Sequence, residues 1–149
     1  MARVPEPQLE AWRALLSAHA SLVAHVEQAL DSAGLPPLGW YDLLWAIRRS
    51  PGKRIRMAEL ADNLTLTRGG VTKLTDRLER AGLLRRTPAE TDRRGLFAEI
   101  TPAGEDVLRQ MWPVYAGALR KTIAVALSDD EAQVIATALR RAADATHRA

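Results

Sequence analysis

The stretch from Thr67 to Arg77 concentrates cations, hydroxyls and two adjacent glycines: Thr67, Arg68, Gly69, Gly70, Thr72, Lys73 and Arg77. Set on a helix with Val71 at the origin, Leu74 and Leu78 fall within about 60° of it and define a buried side. Gly69, Thr72, Lys73, Asp76, Arg77 and Arg80 collect on the other side. Such a face suits the major groove of a duplex. Lys and Arg donate to guanine O6 and N7, and Thr offers a hydroxyl or a methyl group to a base edge. Glycines in the first turn let backbone amides approach a phosphate directly. Thr72 and Lys73 are therefore the expected base readers, with Thr67, Arg68 and Arg77 mainly positioning phosphates. Asp76 fits less simply: phosphates repel it, so it either accepts from cytosine N4 or holds an ion pair.

Other chemistries find little support. The chain has no cysteine, which removes disulfides, thiolate nucleophiles, Cys-based zinc sites and thiol redox sensing. Its imidazoles are His19, His25 and His147, and the first two point about 240° apart on a helix, too far for shared metal ligation. No phosphate loop, dinucleotide fingerprint, nucleophile elbow or His-Glu-x-x-His occurs. No catalytic residue, metal or cofactor is expected.

The distribution of charge agrees with a polyanion partner. The formal net charge is +3, yet residues 48–94 carry 13 Lys and Arg against 6 Asp and Glu, a net of +7, leaving −4 elsewhere. A cationic segment inside an otherwise acidic chain is the footprint of nucleic acid, with an ordinary solvated surface as the other reading. The longest stretch without Asp, Glu, Lys or Arg, Ala14 to Val26, falls short of the ~20 apolar residues that span a bilayer. Pro5, Glu6 and Pro7 stand where a secretory signal needs an apolar run, so the expected location is the cytoplasm.

The elements that must position these residues follow from periodicity. Leu9, Trp12, Leu15, Leu16, His19, Leu22, Val23, Val26 and Leu30 recur at three and four, predicting a long amphipathic helix that ends at Gly34. A shorter helix spans Trp40 to Arg48. Met57, Leu60, Ala61 and Leu64 predict about two helical turns; after a brief turn, Thr67 stands as the N-cap of the next helix. Two short helices about a tight turn make a helix-turn-helix. Ala81-Gly82 stops the second helix, and the pattern changes to period two in Leu83–Thr87 and again in Leu96, Ala98 and Ile100. The polar loop between them carries Arg93 and Arg94, so this pair of strands reads as a hairpin wing. Thr101 caps a helix with Pro102 at its first position; its apolar face extends to Ile123, with Pro113 expected to bend or interrupt it. Ser128-Asp-Asp-Glu131 is a capping box opening a last helix with Ile135, Ala138, Leu139 and Ala142 on one side.

Met57-Ala-Glu-Leu-Ala61, the run Thr67 to Leu83, and Asp92-Arg-Arg94 leading into Ala98-Glu-Ile-Thr-Pro-Ala-Gly104 together carry a resemblance to the MarR family of winged helix-turn-helix transcription regulators. The resemblance implies a mainly α fold with a small β-hairpin wing and long N- and C-terminal dimerisation helices. The boundaries expected are 1–34 for the first dimerisation helix, 35–101 for the DNA-binding domain and 102–149 for the C-terminal dimerisation helices. It also implies that the wing tip enters a minor groove, where a narrow A·T-rich groove attracts arginine, here Arg93 and Arg94. Asp76 and Asp92 are then structural, Asp76 pairing with a wing arginine, Arg94 first among them, and Asp92 bridging within the loop.

The terminal helices hold more apolar surface than a lone winged domain covers, so a twofold homodimer is expected. Its two recognition helices would lie about 34 Å apart on a pseudo-palindromic double-stranded DNA site. Family pockets lie between the dimerisation helices and the winged domain, which makes Trp12, His19, Trp40 and Trp45 the candidate effector residues, although core packing is the plainer reading of each tryptophan and a satisfied core or interface position that of His19. Aromatic walls with a cation nearby favour a small aromatic anion such as a phenolic acid. The expected function is a repressor released by such a ligand; the alternative is a winged-helix module for protein association without specific DNA binding.

Overall fold

The computed structural model describes residues 3–64, 68–89 and 95–146. The chain divides into two compact units, Met1–Tyr115 and Ala116–Ala149. In the first unit, α1 (Glu6–Ser32) and α2 (Leu38–Arg48) precede a 3-10 turn at Pro51–Lys53 and a short strand β1 (Arg54–Arg56). Then come α3 (Met57–Leu60), a second 3-10 turn at Ala61–Asn63, α4 (Arg68–Arg80), β2 (Leu84–Pro88), β3 (Leu96–Ile100) and the start of α5 (Pro102–Lys121). The second unit holds the end of α5, α6 (Ile123–Ala126) and α7 (Asp129–Thr146).

The core of the first unit is built around α2, whose buried residues Leu38, Tyr41, Leu43, Leu44, Ala46 and Ile47 lie on all sides of the helix. Leu43, Leu44 and Ile47 of α2 are fully buried with Leu30 of α1, Leu60 of α3, Leu78 of α4, Leu84 of β2 and Met111 of α5. Burial of each such side chain contributes about 1.5–3 kcal/mol, which fixes the short elements that could not persist alone. The N-terminus of α2 gains a polar anchor: the Leu38 amide donates to both carboxylate oxygens of Glu27 on α1, at 3.1 and 3.2 Å.

The sheet is antiparallel in the order β1-β3-β2. Pairing runs Leu84 to Ile100 and Thr87 to Phe97 on one side of β3, and Arg54 to Glu99 and Arg56 to Phe97 on the other. The expected hairpin is present, but a third strand, Arg-Ile-Arg at 54–56, joins its edge. With only Ile55 buried in that strand, three residues hold too short an alternation to register as a period. The first hairpin strand also begins one residue later than the expected Leu83, whose carbonyl instead accepts from the Thr101 amide at 3.1 Å.

Two further differences concern helices. The first helix of the helix-turn-helix is a single α turn that tightens into a 3-10 turn, rather than two α turns. No interruption occurs at Pro113: α5 continues to Lys121, leaving Ile123 in α6. Thr67, expected as the N-cap of α4, lies outside the described residues, as do Asp92, Arg93 and Arg94.

At the other end of α4 the stop is as expected. Gly82 adopts φ +73°, its amide reaches the Glu79 carbonyl and the Leu83 amide reaches Leu78, closing the helix with a Schellman pattern. Thr101 ties this end to α5. Its hydroxyl donates to the Gly82 carbonyl at 2.7 Å and accepts from the Gly104 amide at 3.2 Å.

In the second unit, the capping box opens α7: the Ser128 amide and hydroxyl donate to Glu131 at 2.9 and 2.8 Å. None of the α7 side chains is buried, and Val134, Ile135 and Leu139 are exposed. Among the described residues, no helix is long and apolar enough to cross a membrane.

Candidate nucleic-acid interface

The α4 helix divides as its periodicity requires. Val71, Thr75 and Leu78 are buried, while Gly69, Thr72, Lys73, Arg77 and Arg80 are exposed. Leu74 is half-buried, with its Cδ2 at 3.8 Å from where a side chain on Gly39 would begin. Thr75 is the polar exception on the buried side, and its hydroxyl donates to the Val71 carbonyl at 2.7 Å, so its burial carries no unmet hydrogen bond. A Cβ on Gly69 would meet nothing within 4 Å, so the first turn of α4 is open on this side.

Two adjacent arginines anchor the wing through ion pairs of different kinds. Across the hairpin, Arg85 grips Glu99 through Nε at 3.2 Å and Nη2 at 2.8 Å, and this hydrogen bond holds the Glu99 carboxyl below the usual carboxylate range. The other arginine joins the wing to α4. Arg86 on β2 reaches Asp76 through Nη2 at 2.5 Å and Glu79 through Nη1 at 2.6 Å, and its backbone amide donates to Glu79 at 2.9 Å. Burial works against the Arg86 charge, but the hydrogen bond to Asp76 and the charges of Glu79 and Asp76 outweigh it and hold the guanidinium above its ordinary value. The hairpin is thus bolted to the recognition-type helix at two carboxylates one turn apart. Beyond Pro88 the Ala89 amide donates to Gly95 at 2.8 Å, closing the base of the loop that bears Arg93 and Arg94.

The four candidate effector residues are dispersed over differing environments. Trp12 and His19 are exposed on α1, Trp40 is half-buried, and Trp45 is exposed but in ring contact. Trp45 stacks on Tyr41 with centroids 6.1 Å apart, and Tyr41 also meets Trp112 at 6.2 Å and Tyr115 at 5.1 Å. The Arg48 guanidinium lies 5.3 Å from the Trp45 ring. Burial pushes the phenols of Tyr41 and Tyr115 up, with Asp42 adding to both. The aromatic cluster therefore draws Trp45 together with Tyr41 and two α5 rings that periodicity alone assigns only to an apolar helix face.

A sequence profile described as the MarR family matches residues 33–95, which contain α2, the helix-turn-helix and β2. The chain is 30% identical over 138 residues to the HTH-type transcriptional regulator MhqR of Bacillus subtilis, covering 91% of each protein. It superposes over its full length on all of AbsC, a MarR family transcriptional regulator from Streptomyces coelicolor, with a TM-score of 0.86 and 28% identity. Sco3205, another MarR family regulator from that organism, solved in complex with DNA, matches with a TM-score of 0.86 and 29% identity over 97% of this chain and 91% of that one. The chain belongs to the MarR family.

As a MarR-family winged-helix transcription regulator, the protein uses one pairing that sequence reasoning misses. Arg86 and Glu79 are not among the candidate residues, and the arginine expected to pair with Asp76, Arg94, lies outside the described residues. The partner seen for Asp76 is Arg86. A signal is present: Asp76 and Glu79 sit three residues apart on the side of α4 followed directly by a strand that carries two adjacent arginines.

Proposed function

We propose that this MarR-family regulator binds double-stranded DNA sequence-specifically, placing α4 in a major groove and the wing tip in the neighbouring minor groove. The observation that carries this reading is the exposed side of α4, Gly69, Thr72, Lys73 and Arg77, with a wing held beside it by Arg86. Thr72 and Lys73 read base edges. Thr67, Arg68 and Arg77 hold phosphates, Gly69 and Gly70 admit the backbone to them, and Arg93 and Arg94 enter the minor groove. Asp92 steadies the wing loop by pairing within it, and Asp76 steadies the wing against α4. That Sco3205, 29% identical to this chain, was solved in complex with DNA supports DNA as the partner.

The protein works as a twofold homodimer on a pseudo-palindromic site, with 1–34 and 102–149 supplying the subunit interface and 35–101 the DNA-binding domain. Exposed Trp12, Leu15 and Leu16 on α1, and exposed Val134, Ile135 and Leu139 on α7, are apolar surface of the kind that a second subunit covers. It acts in the cytoplasm, by binding rather than catalysis, as a repressor released by a small aromatic anion. The ligand binds among Trp12, His19, Trp40 and Trp45, and the Arg48 charge beside Trp45 supports the choice of an anion. Release requires only that the ligand prefer a subunit arrangement in which the two recognition helices no longer match their grooves.

Sequencing the DNA that the purified protein selects from a random pool, followed by titration across salt, tests this reading. Affinity for the selected duplex is expected to fall steeply as salt rises. Lys73→Ala is expected to lose about 1–3 kcal/mol of specific binding and to relax the preference at one position of each half-site. Unchanged affinity in Lys73→Ala, Arg77→Ala and Arg94→Ala alike would remove these residues from the interface.

A further inference from the structure

Where α3 and the turn after it meet α4, the chain forms a small apolar cup to which no DNA group has yet been assigned. It has a volume of about 220 Å³ and is lined by Met57, Ala58, Ala61, Val71 and Thr72. Burial grades across it: Val71 is 2% exposed, Met57 and Ala61 are half-buried, and Ala58 and Thr72 are exposed, so the cup opens towards the last two. None of these five side chains carries a charge, and Thr72 brings the one oxygen among them.

The cup is continuous with the side of α4 assigned to the major groove. On the helix, Thr72 lies about 100° from buried Val71 and about 60° from Gly69, so the exposed face turns towards α3 at this residue. Gly69, one turn before Thr72, leaves the approach open, because a Cβ there would meet nothing within 4 Å. Base edges in the major groove present hydrogen-bond donors and acceptors with one exception, the 5-methyl group of thymine, and the side chains suited to it are apolar carbons such as those of Ala and Thr. Two alanines and a threonine line this cup. A phosphate would find no cation in the same lining.

We propose that this cup takes the 5-methyl group of a thymine, so that Met57, Ala58 and Ala61 share in sequence readout with α4 and each half-site carries a thymine at the position facing Thr72. The inference rests on the DNA-binding reading above and adds to it the identity of one base. It asks only for the carbon atoms of Thr72. The volume exceeds that of a methyl group, which leaves room for the C5–C6 edge of the ring to follow the methyl in. An open apolar cup orders water poorly, and an apolar group that displaces such water gains affinity. Moving one methyl group out of water corresponds to a gain of about fourfold per half-site.

The test replaces each thymine of a duplex selected from a random pool, one at a time, by deoxyuridine, which pairs as thymine does but lacks the 5-methyl group. Wild type is expected to lose about fourfold in affinity at one position per half-site. Two variants then address the cup itself. Ala58→Leu fills it from its exposed rim, and Thr72→Ser keeps the hydroxyl while removing a methyl group from the lining. In each, the thymine-to-uracil affinity ratio at that position is expected to fall towards one. The ratio compares two duplexes on one protein, so a loss of stability or of general DNA affinity acts on both alike and leaves it unchanged. A wild type indifferent to every deoxyuridine overturns the cup, and so does a ratio that both variants leave intact; either result leaves DNA recognition by α4 standing. Wild-type binding that is weak and equal on the selected duplex and on a mixed-sequence duplex of the same length overturns the DNA reading itself and the cup with it.

Discussion

A Cβ added at position 104 would lie 2.1 Å from the Leu83 carbonyl oxygen and 2.8 Å from Ile100 Cγ1. The closer atom belongs to the backbone, which cannot swing aside as a side-chain end would. Gly104→Ala is therefore expected to cost about 1–3 kcal/mol, the usual penalty for overpacking, measured as a lower urea midpoint. Asp42 makes the opposite case. Burial, with the nearby Glu27 charge, pushes its carboxyl up, so its charged form is disfavoured in the folded chain. The stability it contributes is complete below its unfolded value and is lost as pH rises through the higher folded one. Asp42→Asn is expected to melt above wild type at neutral pH, with the gap closing in acid; a gap independent of pH would count against this account. Individual residues on α4 are readable from sequence because burial alternates with helical period: Val71 and Leu78 in, Thr72, Lys73 and Arg77 out. Arg86 is not, since its role depends on two carboxylates from another element, and neither charge nor period reveals which arginine of an adjacent pair turns inward.

Among the elements, the ion pairs seen between wing and α4 in the described residues are made by one side chain. Arg86 is one-fifth exposed and holds both Asp76 and Glu79. Arg86→Ala leaves two carboxylates side by side without their donor and is expected to cost about 1.5–3 kcal/mol in urea unfolding. Its DNA affinity should fall as well, because the hairpin loses its set position. Arg86→Lys is expected to recover little of either, since one ammonium cannot span both acceptors as a guanidinium does. Full recovery by lysine would show that charge alone suffices. Element types and order are legible throughout, from the long α1 to the capping box of α7, because each long helix carries its own period and stop signals. The short pieces are not. β1 exists through pairing with β3, and the second turn of the first recognition-motif helix tightens into a 3-10 turn; both are decided by tertiary contacts that no local window contains.

For the molecule as a whole, the unburied apolar side chains of α1 and α7 set the expectation of a dimer. Ile135→Glu/Leu139→Glu places charge on the α7 surface and is expected to shift sedimentation from dimer to monomer and to reduce affinity for a two-half-site duplex far more than for a single half-site. An unchanged sedimentation coefficient would move the interface away from α7. The threonine at position 101 bears on how such an assembly could respond to a ligand. One hydroxyl spans the last carbonyl of the reading helix's stop and the first turn of α5, and the amide of the same residue holds Leu83. Sliding one helix along the other would tear the two bonds that reach across, to the Gly82 and Leu83 carbonyls, whereas swivelling both together breaks neither. In the proposed dimer, a change in the spacing of the two α4 helices is accordingly expected to turn each of them with α5's opening turn as one solid wedge.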